Sequence, residues 1–402
     1  MPSSETNDRF DVTGWVTLTA IVVVLAMACP GGSVCAESSA PQNNGASAST
    51  GGGAWPFFRG SRSLRGVAAG RLAGALKLRW TYETGDAIRS SAVVQGGRVW
   101  IGSDDGLVYC LDLSDGKKIW SFQTEDMIEA PPTLMEHQVL VGSNDGRVYA
   151  LDARNGELNW HYQTEGKIVG AANWVRRAAG GEHRVLVGSY DNRLHCIDAV
   201  TGKGVWQYET GNYINGSVAV IQDRVVFGGC DGLLHVVSVE DSRMIAQVEV
   251  GSYVAASAAL VDDLAFVGHY DNKFLCIDLQ GQVVRWSYGE RPFAFLSSAA
   301  VGDDRVVVGG RDKRVHCLRR HDGEPIWTFP TRGEVDSSPV ICGDKVVVGS
   351  GDGRLYVLNL DSGEAIWTYH VGESITGSPA VAEGMIIVGA EDGRIYAFGR
   401  AS

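Results

Sequence analysis

The chain has 402 residues, of which 45% are hydrophobic, and it carries 35 Lys and Arg against 47 Asp and Glu, a net charge of −12 at pH 7. Such an acidic chain is a poor match for a phosphate backbone, so we expect no nucleic-acid partner. A chain of this length buries a large core without disulfide staples, so its eight cysteines need not form a disulfide framework.

The first 36 residues predict a signal peptide. The apolar run from Trp15 to Cys29 is shorter than a membrane span and suits the apolar region of a secretion signal. Val34-Cys35-Ala36 then resembles a cleavage site before Glu37. Two alternatives stay open, an uncleaved signal and a lipid on Cys29, and either would tether the protein to a membrane. We therefore predict a secreted or periplasmic protein.

Two short segments follow the signal. Residues 37–54, rich in Ser, Ala, Gly and Asn, cannot bury a core and predict a flexible low-complexity linker. Residues 55–75, which begin WPFFRG, are interpreted as a lead-in segment. Residues 76–400 are predicted to form one repeat domain, because the same sequence unit recurs throughout them.

The repeat is marked by a residue position that recurs at intervals of 40, 40, 46, 40, 40, 41 and 40 residues. Ala246 fills its fifth copy, and tryptophan fills the others: Trp80, Trp120, Trp160, Trp206, Trp286, Trp327 and Trp367. A regular period of this length indicates one supersecondary unit copied many times. One indole per copy favours packing between copies over ligand stacking.

Each copy contains four short apolar runs separated by Gly and Asp, which predicts a four-stranded antiparallel meander with tight hairpin turns. A four-stranded unit of about 40 residues is typical of a β-propeller blade. One hairpin aspartate occurs in every copy and is interpreted as a turn residue that accepts backbone hydrogen bonds: Asp105, Asp145, Asp191, Asp231, Asp271, Asp312, Asp352 and Asp392. The sequence therefore predicts an all-β, eight-bladed propeller.

The two ends of the repeat region complement each other. The last copy stops at IYAFGR before any outer strand, whereas LKLRWTYET at 76–84 precedes every complete blade. We expect residues 76–84 to supply the outer strand of blade 8 and to close the ring, which leaves no unpaired sheet edge.

The cysteines and histidines of the repeats do not predict a metal site. Cys110, Cys196, Cys276 and Cys317 occupy one equivalent strand position in different blades, too far apart for disulfides, so we expect free thiols. His195 precedes Cys196, and neighbours on a strand point to opposite faces of the sheet.

Positions that differ from blade to blade are better candidates for a binding site, because the shared fold needs them least. One variable residue enters each inner strand, and the set should ring one mouth of the central channel: Arg89, Glu129, Val169, Asn215, Ala255, Leu296, Asp336 and Thr376. The polar members Arg89, Glu129, Asn215, Asp336 and Thr376 are the candidate binding residues. An alternative is that Arg89 and Glu129, on adjacent blades, simply pair with each other.

Two further features are candidates for contact with a partner. Tyr213, Tyr253 and Phe293 lie just before the variable positions of blades 4 to 6 and could form an aromatic docking patch. Blade 3 carries the largest insertion, where Arg176 and Arg177 make an acidic protein locally basic. A solvated hairpin tip and a partner-contact loop both fit that insertion.

The repeat resembles the PQQ-like (pyrroloquinoline-quinone-type) β-propeller family, as in SSPVICGDKVVVGSGDGRLYVLNLDSGEAIW at 337–367. The resemblance covers roughly residues 76–398 and implies the propeller fold rather than one function. The family includes quinoprotein dehydrogenases, which hold the quinone and usually calcium, and non-enzymatic scaffolds of the BamB-like branch. No two cysteines are adjacent here, unlike the pair typical of the alcohol-oxidising enzymes, and no long insertion could cover the channel.

We therefore expect a non-catalytic, monomeric scaffold that binds other envelope or secreted proteins, in the BamB-like form as part of outer-membrane protein assembly. No catalytic residue, metal or cofactor is assigned under this interpretation. Two alternatives stay open: a PQQ-dependent dehydrogenase that oxidises alcohols or sugars with PQQ and calcium, and a carbohydrate-binding propeller.

Overall fold

The computed structural model describes residues 53–176, 183–289 and 291–401. The predicted signal peptide, most of the predicted linker and Arg177 lie outside these ranges. All the described residues belong to one unit, Ser49–Ser402. Within the described part of the chain, no helix has the length and hydropathy that a membrane span requires.

Eight antiparallel sheets of four strands each confirm the predicted eight-bladed β-propeller. In each blade the strands run in order from strand A, nearest the channel, to strand D at the outside. The strands of blades 1 to 4 are β3 (Val93–Gln95), β4 (Arg98–Gly102), β5 (Leu107–Asp112) and β6 (Lys118–Gln123); β7 (Thr133–Met135), β8 (Gln138–Gly142), β9 (Arg147–Asp152) and β10 (Leu158–Gln163); β11 (Asn173–Arg176), β12 (His183–Gly188), β13 (Arg193–Asp198) and β14 (Gly204–Glu209); β15 (Ala219–Ile221), β16 (Arg224–Gly228), β17 (Leu233–Ser238) and β18 (Met244–Glu249).

The second half of the ring repeats this plan. The strands of blades 5 to 8 are β19 (Ala259–Val261), β20 (Leu264–Gly268), β21 (Phe274–Asp278) and β22 (Val283–Tyr288); β23 (Ala300–Val301), β24 (Arg305–Gly310), β25 (Arg314–Arg319) and β26 (Pro325–Pro330); β27 (Val340–Cys342), β28 (Lys345–Gly349), β29 (Arg354–Asn359) and β30 (Ala365–His370); β31 (Ala380–Ala382), β32 (Met385–Gly389), β33 (Arg394–Arg400) and β2 (Leu76–Glu83). A short strand β1 (Val67–Ala68) adds a fifth, parallel strand to blade 7 beside β27.

The ring closes as the sequence predicts. Strand β2 pairs antiparallel with β33, with Leu76 opposite Arg400 and Trp80 opposite Ala397. The earliest strand of the repeat region therefore completes the last blade, so the two ends of the repeat region are joined by main-chain hydrogen bonds.

The tryptophans lie between blades. Six indole N–H groups donate to a main-chain carbonyl of the next blade: Trp80 to Leu113 (2.8 Å), Trp120 to Ala153 (3.2 Å), Trp160 to Ala199 (2.9 Å), Trp206 to Val239 (3.1 Å), Trp286 to Arg320 (3.1 Å) and Trp327 to Leu360 (2.9 Å). A Cβ on Gly156 would lie 2.6 Å from the Trp120 ring, so the indole needs a glycine in the hairpin that it covers. Each ring thus ties one blade to its neighbour.

The contact between blades 4 and 5 is built differently. Ala246 takes the tryptophan position there, is buried, and belongs to the same apolar cluster as Leu279 of blade 5. Arg224 of blade 4 also forms an ion pair of 2.8 Å with Asp263 of blade 5. A smaller apolar contact therefore takes the place of the indole at this junction.

The hairpin aspartates bind the backbone and side chains of their own blades. Asp105 accepts from the Leu107 amide at 2.9 Å and from the Tyr109 hydroxyl at 2.6 Å. In blades 3, 4 and 6 a buried histidine replaces this tyrosine, as where His316 lies 3.0 Å from Asp312. These contacts satisfy the hairpin carboxylates in seven of the blades. In blade 5, where Leu275 takes the position of the tyrosine, Asp271 is exposed.

The equivalent strand position that holds four of the cysteines is fully buried. None of these four cysteines forms a disulfide in the structure, as expected from their separation. Burial raises the pKa of Cys110, Cys276 and Cys317 to about 12, so these thiols stay protonated and pack as small apolar side chains.

The lead-in segment threads the inside of the ring, which the sequence did not predict. After Trp55, which exchanges two main-chain hydrogen bonds with Val94 of blade 1, the segment makes a short 3-10 turn, Phe58–Gly60. Its carbonyls then accept from the inner strand of one blade after another: Pro56 from Leu134, Arg62 from Val220, Ser63 from Leu260, Arg65 from Val301 and Gly66 from Ile341. The Arg62 carbonyl also accepts from the Asn173 side chain of blade 3 at 2.8 Å.

Arg59 anchors this segment at the centre of the ring. Its side chain is buried and donates to two main-chain carbonyls of blade 7, those of Ser338 (3.0 Å) and Pro339. Burial lowers the pKa of Arg59 to about 9. Gly66, at φ +70°, lies against the guanidinium, and a Cβ there would lie 2.1 Å from Nη2. The segment therefore fits the channel closely.

Candidate functional site

Two sets of loops meet at one end of the channel. The loop that enters strand A and the turn between strands B and C are joined in every blade, as where the Asp104 amide donates to the Ala87 carbonyl at 2.9 Å and the Tyr270 amide to the Tyr253 carbonyl at 3.1 Å. This end, which we call the mouth, therefore presents two side chains from each blade side by side.

The variable residues chosen from the sequence line one cavity of about 230 Å³ at the mouth. We call this set the rim: Arg89, Glu129, Val169, Asn215, Ala255, Leu296, Asp336 and Thr376. All five polar candidates thus lie together, as the repeat register predicts. The rim is polar on blades 7, 8, 1 and 2 and mainly apolar on blades 3 to 6.

A belt of serines lies two residues further along the chain and deeper in the cavity. Each serine hydroxyl accepts from a main-chain amide of the preceding blade, at distances of 2.8 to 3.1 Å, in six of the blades: Ser91, Ser217, Ser257, Ser298, Ser338 and Ser378. Pro131 and Ala171 take the equivalent positions in blades 2 and 3. The serine belt therefore links neighbouring blades at the point where their inner strands narrow the channel.

Phe58 forms the floor of the cavity. Phe58 is the residue of the lead-in segment that lines the cavity. The main-chain hydrogen bonds of that segment are made with residues that lie deeper than the serine belt, such as Val94 and Ile341. The mouth is therefore a cup with an aromatic base, rather than the opening of a free channel.

The rim arginine does not pair with the neighbouring glutamate. Arg89 forms an ion pair of 2.8 Å with Asp104 of its own blade, whereas Glu129 accepts from the Asn144 side chain at 2.7 Å. Burial raises the pKa of Asp104 to about 6; Arg89 acts against this rise, and the charges of Glu129 and Glu391 add to it. The pairing alternative for Arg89 and Glu129 was therefore wrong, because each finds a closer partner within its own blade.

The other polar rim residues are also held by side chains from the turns. Tyr190 donates to Asn215 at 2.7 Å, Thr376 donates to Glu391 at 3.2 Å, and Arg311 binds both carboxylate oxygens of Asp336 at 2.9 and 3.1 Å. These bonds fix the direction of the rim side chains, so the cup is preorganised.

A second ring of variable residues therefore supports the rim, and sequence reasoning missed it. Its members stand immediately before the hairpin aspartates: Asp104, Asn144, Tyr190, Cys230, Tyr270, Arg311, Gly351 and Glu391. The signal was present, since this position differs in almost every blade while the next residue is always Asp.

Aromatic side chains extend the apolar half of the mouth. The predicted Tyr213, Tyr253 and Phe293 are 47%, 57% and 46% exposed, and Tyr270 beside Tyr253 is 48% exposed. Tyr190 stacks on Tyr213 with ring centroids 4.9 Å apart and nearly parallel planes. We call these five residues the aromatic patch.

Arg176, where the basic insertion of blade 3 begins, lies away from the mouth. Arg176 ends strand β11, in the hairpin between strands A and B, at the end of the blade opposite to the mouth. Its side chain is exposed. Arg176 and the aromatic patch therefore belong to different faces of the ring.

The described residues offer no ready site for a metal. They contain no group of three or more His, Cys, Asp and Glu side chains placed to hold one. Two of the oxygen donors at the mouth, those of Asp336 and Asn215, already accept hydrogen bonds from Arg311 and Tyr190.

The rim also suits an anionic quinone poorly. Among the described residues, the mouth has four carboxylates, those of Asp104, Glu129, Asp336 and Glu391, against the two guanidinium groups of Arg89 and Arg311. A group that carries several carboxylates would be repelled by this net negative charge. The charges at the rim therefore do not fit PQQ.

Comparison with known proteins defines the family. The family profile described as outer membrane protein assembly factor BamB matches residues 47–288 and 289–402. No curated protein sequence matches the chain.

Solved structures with the same fold include both branches. BamB from Moraxella catarrhalis has a TM-score of 0.68 and 20% identity, over 81% of this chain and 98% of that one. The quinohemoprotein alcohol dehydrogenase from Comamonas testosteroni has a TM-score of 0.75 and 14% identity, over 87% and 81%. A europium-containing methanol dehydrogenase has a TM-score of 0.70 and 13% identity, over 87% and 98%. At these identities the likeness shows the fold alone.

Proposed function

The chain belongs to the family of the outer membrane protein assembly factor BamB, and from this premise we propose that it is a non-catalytic scaffold of the cell envelope. In this role it is secreted or periplasmic, monomeric, and binds other envelope proteins through the mouth face of its propeller. The observation that carries the proposal is the aromatic patch, which places four strongly exposed rings on one side of one face.

The aromatic patch has the chemistry of a protein-binding surface. Tyrosine and phenylalanine supply large apolar contact areas with little loss of side-chain entropy, and aromatic residues are enriched at interface centres. The stacked pair of Tyr190 and Tyr213 is held in place by the bond from Tyr190 to Asn215, so part of the surface is rigid before a partner arrives.

Removing the patch tests the scaffold role in the bacterium that encodes the chain. Deletion of the gene should lower the amounts of outer-membrane proteins, and the wild-type gene should restore them. A Tyr253→Ser/Tyr270→Ser variant should fold and be exported but restore them poorly. The matched control is Ile366→Ser, which removes an apolar residue that is 40% exposed on the outer strand of blade 7. If the Tyr253→Ser/Tyr270→Ser variant fully restored the amounts of outer-membrane proteins, the proposal would be contradicted.

The alternative is a quinone-dependent dehydrogenase, and the similarity of fold to two such enzymes favours testing it. The purified chain would be incubated with PQQ and either calcium or europium, and dye-linked oxidation of methanol, ethanol and glucose would be followed. We expect no turnover, since the rim carboxylates repel the quinone and two of the oxygen donors at the mouth are already bonded. Turnover that depends on PQQ would replace the scaffold role.

A further inference from the structure

The serine belt holds hydrogen-bond donors that no protein group uses. The six hydroxyls each accept from a main-chain amide, yet none of them donates a hydrogen bond to another residue that the structure describes. The six serines are only 4 to 6% exposed, and all of them line the mouth cavity. Buried donors of this kind need an acceptor, and here it must come from the contents of the cavity.

The polar half of the rim holds acceptors. Glu129 lines the cavity, accepts one hydrogen bond and forms no ion pair within the described ranges. Asp336 and Thr376 line the same half of the rim and add further acceptor oxygens. The cavity thus has donors at its base and acceptors around half of its rim.

These two tiers restrict the chemistry of a ligand. An anion would use the belt donors but would be repelled by the rim carboxylates. A cation would use the rim but could accept nothing from the belt. A neutral molecule with several hydroxyl groups satisfies both tiers, since each hydroxyl donates one hydrogen bond and accepts others.

The floor and the size of the cup narrow the choice further. Phe58 provides an apolar, aromatic base, against which the C–H groups of a sugar ring could pack. The cavity of about 230 Å³ is smaller than the roughly 300 Å³ at which sites for drug-sized ligands begin, so it suits one ring rather than a chain.

We propose that the mouth cavity binds a single neutral sugar ring, with the serine belt donating to its oxygens, Glu129 and Thr376 bonding its hydroxyls, and Phe58 lying beneath it. The ring can come from a free monosaccharide or from the terminal unit of an envelope glycan, because both present the same groups. This site goes beyond the scaffold role, since the aromatic patch lies outside the cavity.

Binding to the purified chain tests this site. Saturation-transfer NMR and calorimetric titration would use D-glucose, D-galactose and N-acetyl-D-glucosamine, with inorganic phosphate as the anionic probe and putrescine as the cationic one. A glycan array would present the same sugars as terminal units. We expect saturable binding of at least one sugar, on the array alone if a glycan is the source, and no binding of either charged probe.

Two variants locate the binding. Glu129→Ala removes a rim acceptor, and Thr376→Val removes a rim hydroxyl with little change of shape. Each should weaken sugar binding about tenfold or more, because a buried hydrogen-bonding group of the ligand loses its partner. Glu324→Ala is the matched control, since Glu324 is exposed on a hairpin at the opposite end of blade 6.

Three results would overturn the proposal. The first is that no sugar binds in either format, in which case the cup holds only water. The second is that phosphate or putrescine binds and the sugars do not. The third is that the rim variants bind sugar as tightly as the control variant does. In each case the scaffold proposal stands, because it is tested through the aromatic patch.

Discussion

The surfaces between blades and the surface at the mouth come from the same repeat, but the first are built from residues that recur in the blades and the second from residues that differ between blades. Between blades the same contact recurs, with an indole N–H that donates to the next blade, as in Trp120 to Ala153 and Trp327 to Leu360. At the mouth the equivalent position changes with every blade, from Arg89 to Glu129 to Val169. The repeated residues therefore build the ring, and the unrepeated residues are free to define what it binds.

This comparison also separates stability from binding. Substitutions between blades should unfold the protein and affect binding only through unfolding, whereas substitutions at the mouth should change binding and leave stability nearly unchanged. Single substitutions on the two surfaces can therefore be compared by their effects on the free energy of unfolding.

The largest effect is expected for Trp120→Ala. The ring is 7% exposed and bonds to the next blade, so its removal leaves a cavity and should lower the free energy of unfolding by about 3–5 kcal/mol. Urea unfolding followed by circular dichroism measures the change. Ile119→Ala, at the exposed neighbour on the same strand, should cost less than about 1 kcal/mol. Equal losses in the two variants would contradict the packing role.

Gly66→Ala is expected to come next. The added Cβ would lie 2.1 Å from the buried Arg59 guanidinium, and the alanine would have to adopt φ +70°. The free energy of unfolding should therefore fall by about 2–3 kcal/mol. Gly96→Ala is the control, because Gly96 has φ +60° but nothing within 4 Å of a Cβ. It should lose only about 1 kcal/mol, the cost of the backbone conformation alone. The same loss in both would show that the lead-in segment is not tightly fitted.

The buried aspartates of blades 3, 4 and 6 should make stability sensitive to acid. Burial alone would raise the pKa of Asp312, but the hydrogen bond and charge of His316 hold it below its usual value, and Asp191 and Asp231 behave likewise with His195 and His235. A carboxylate whose pKa is lowered in the folded protein stabilises the fold at pH values above its pKa in the unfolded chain, about 3.9. This stabilisation is lost as the pH falls through the pKa of the folded protein.

His316→Phe tests this link. At pH 7 it leaves the Asp312 carboxylate buried without its ring donor, which should cost about 1–3 kcal/mol. The difference from the wild type should shrink as the pH falls below the unfolded pKa of about 3.9, because protonation of the Asp312 carboxylate removes the charge that His316 stabilises. Thermal melts at pH 7 and at pH 3 measure it. A difference that stays constant would contradict the link.

The smallest effect on stability is expected at the mouth. Tyr253→Ala removes a ring that is 57% exposed, so the free energy of unfolding should change by less than about 0.5 kcal/mol. Binding of an envelope partner should nevertheless fall. A loss of stability as large as that of Trp120→Ala would remove the distinction between the two surfaces.

The ring could be predicted from the sequence because its residues repeat. The period counted the blades, and the missing outer strand of the last copy identified residues 76–84 as the closing strand. The rim followed from the same register, since Arg89 and Asp336 occupy one position in different blades. Residues that repeat with the fold are thus placed by counting alone.

The lead-in segment and the supporting ring could not be placed in this way. The lead-in segment bonds to the inner strands mainly through its own carbonyls, such as those of Ser63 and Arg65, which leave no pattern in the side chains. The serine belt was hidden because its hydroxyls join one blade to the next, and such pairs are not neighbours in sequence. Tyr190 and Arg311 stand beside the hairpin aspartates and were overlooked as turn residues.

Site-specific photo-crosslinking in living cells can show directly whether the mouth face binds an envelope protein. A photoreactive amino acid would replace Tyr253 in the aromatic patch or Ile366 on the outer strand of blade 7. The account predicts a discrete crosslinked adduct with an envelope protein from position 253 and none from position 366. Adducts of equal yield from both positions, or an adduct from position 366 alone, would contradict the assignment of the mouth as the binding face.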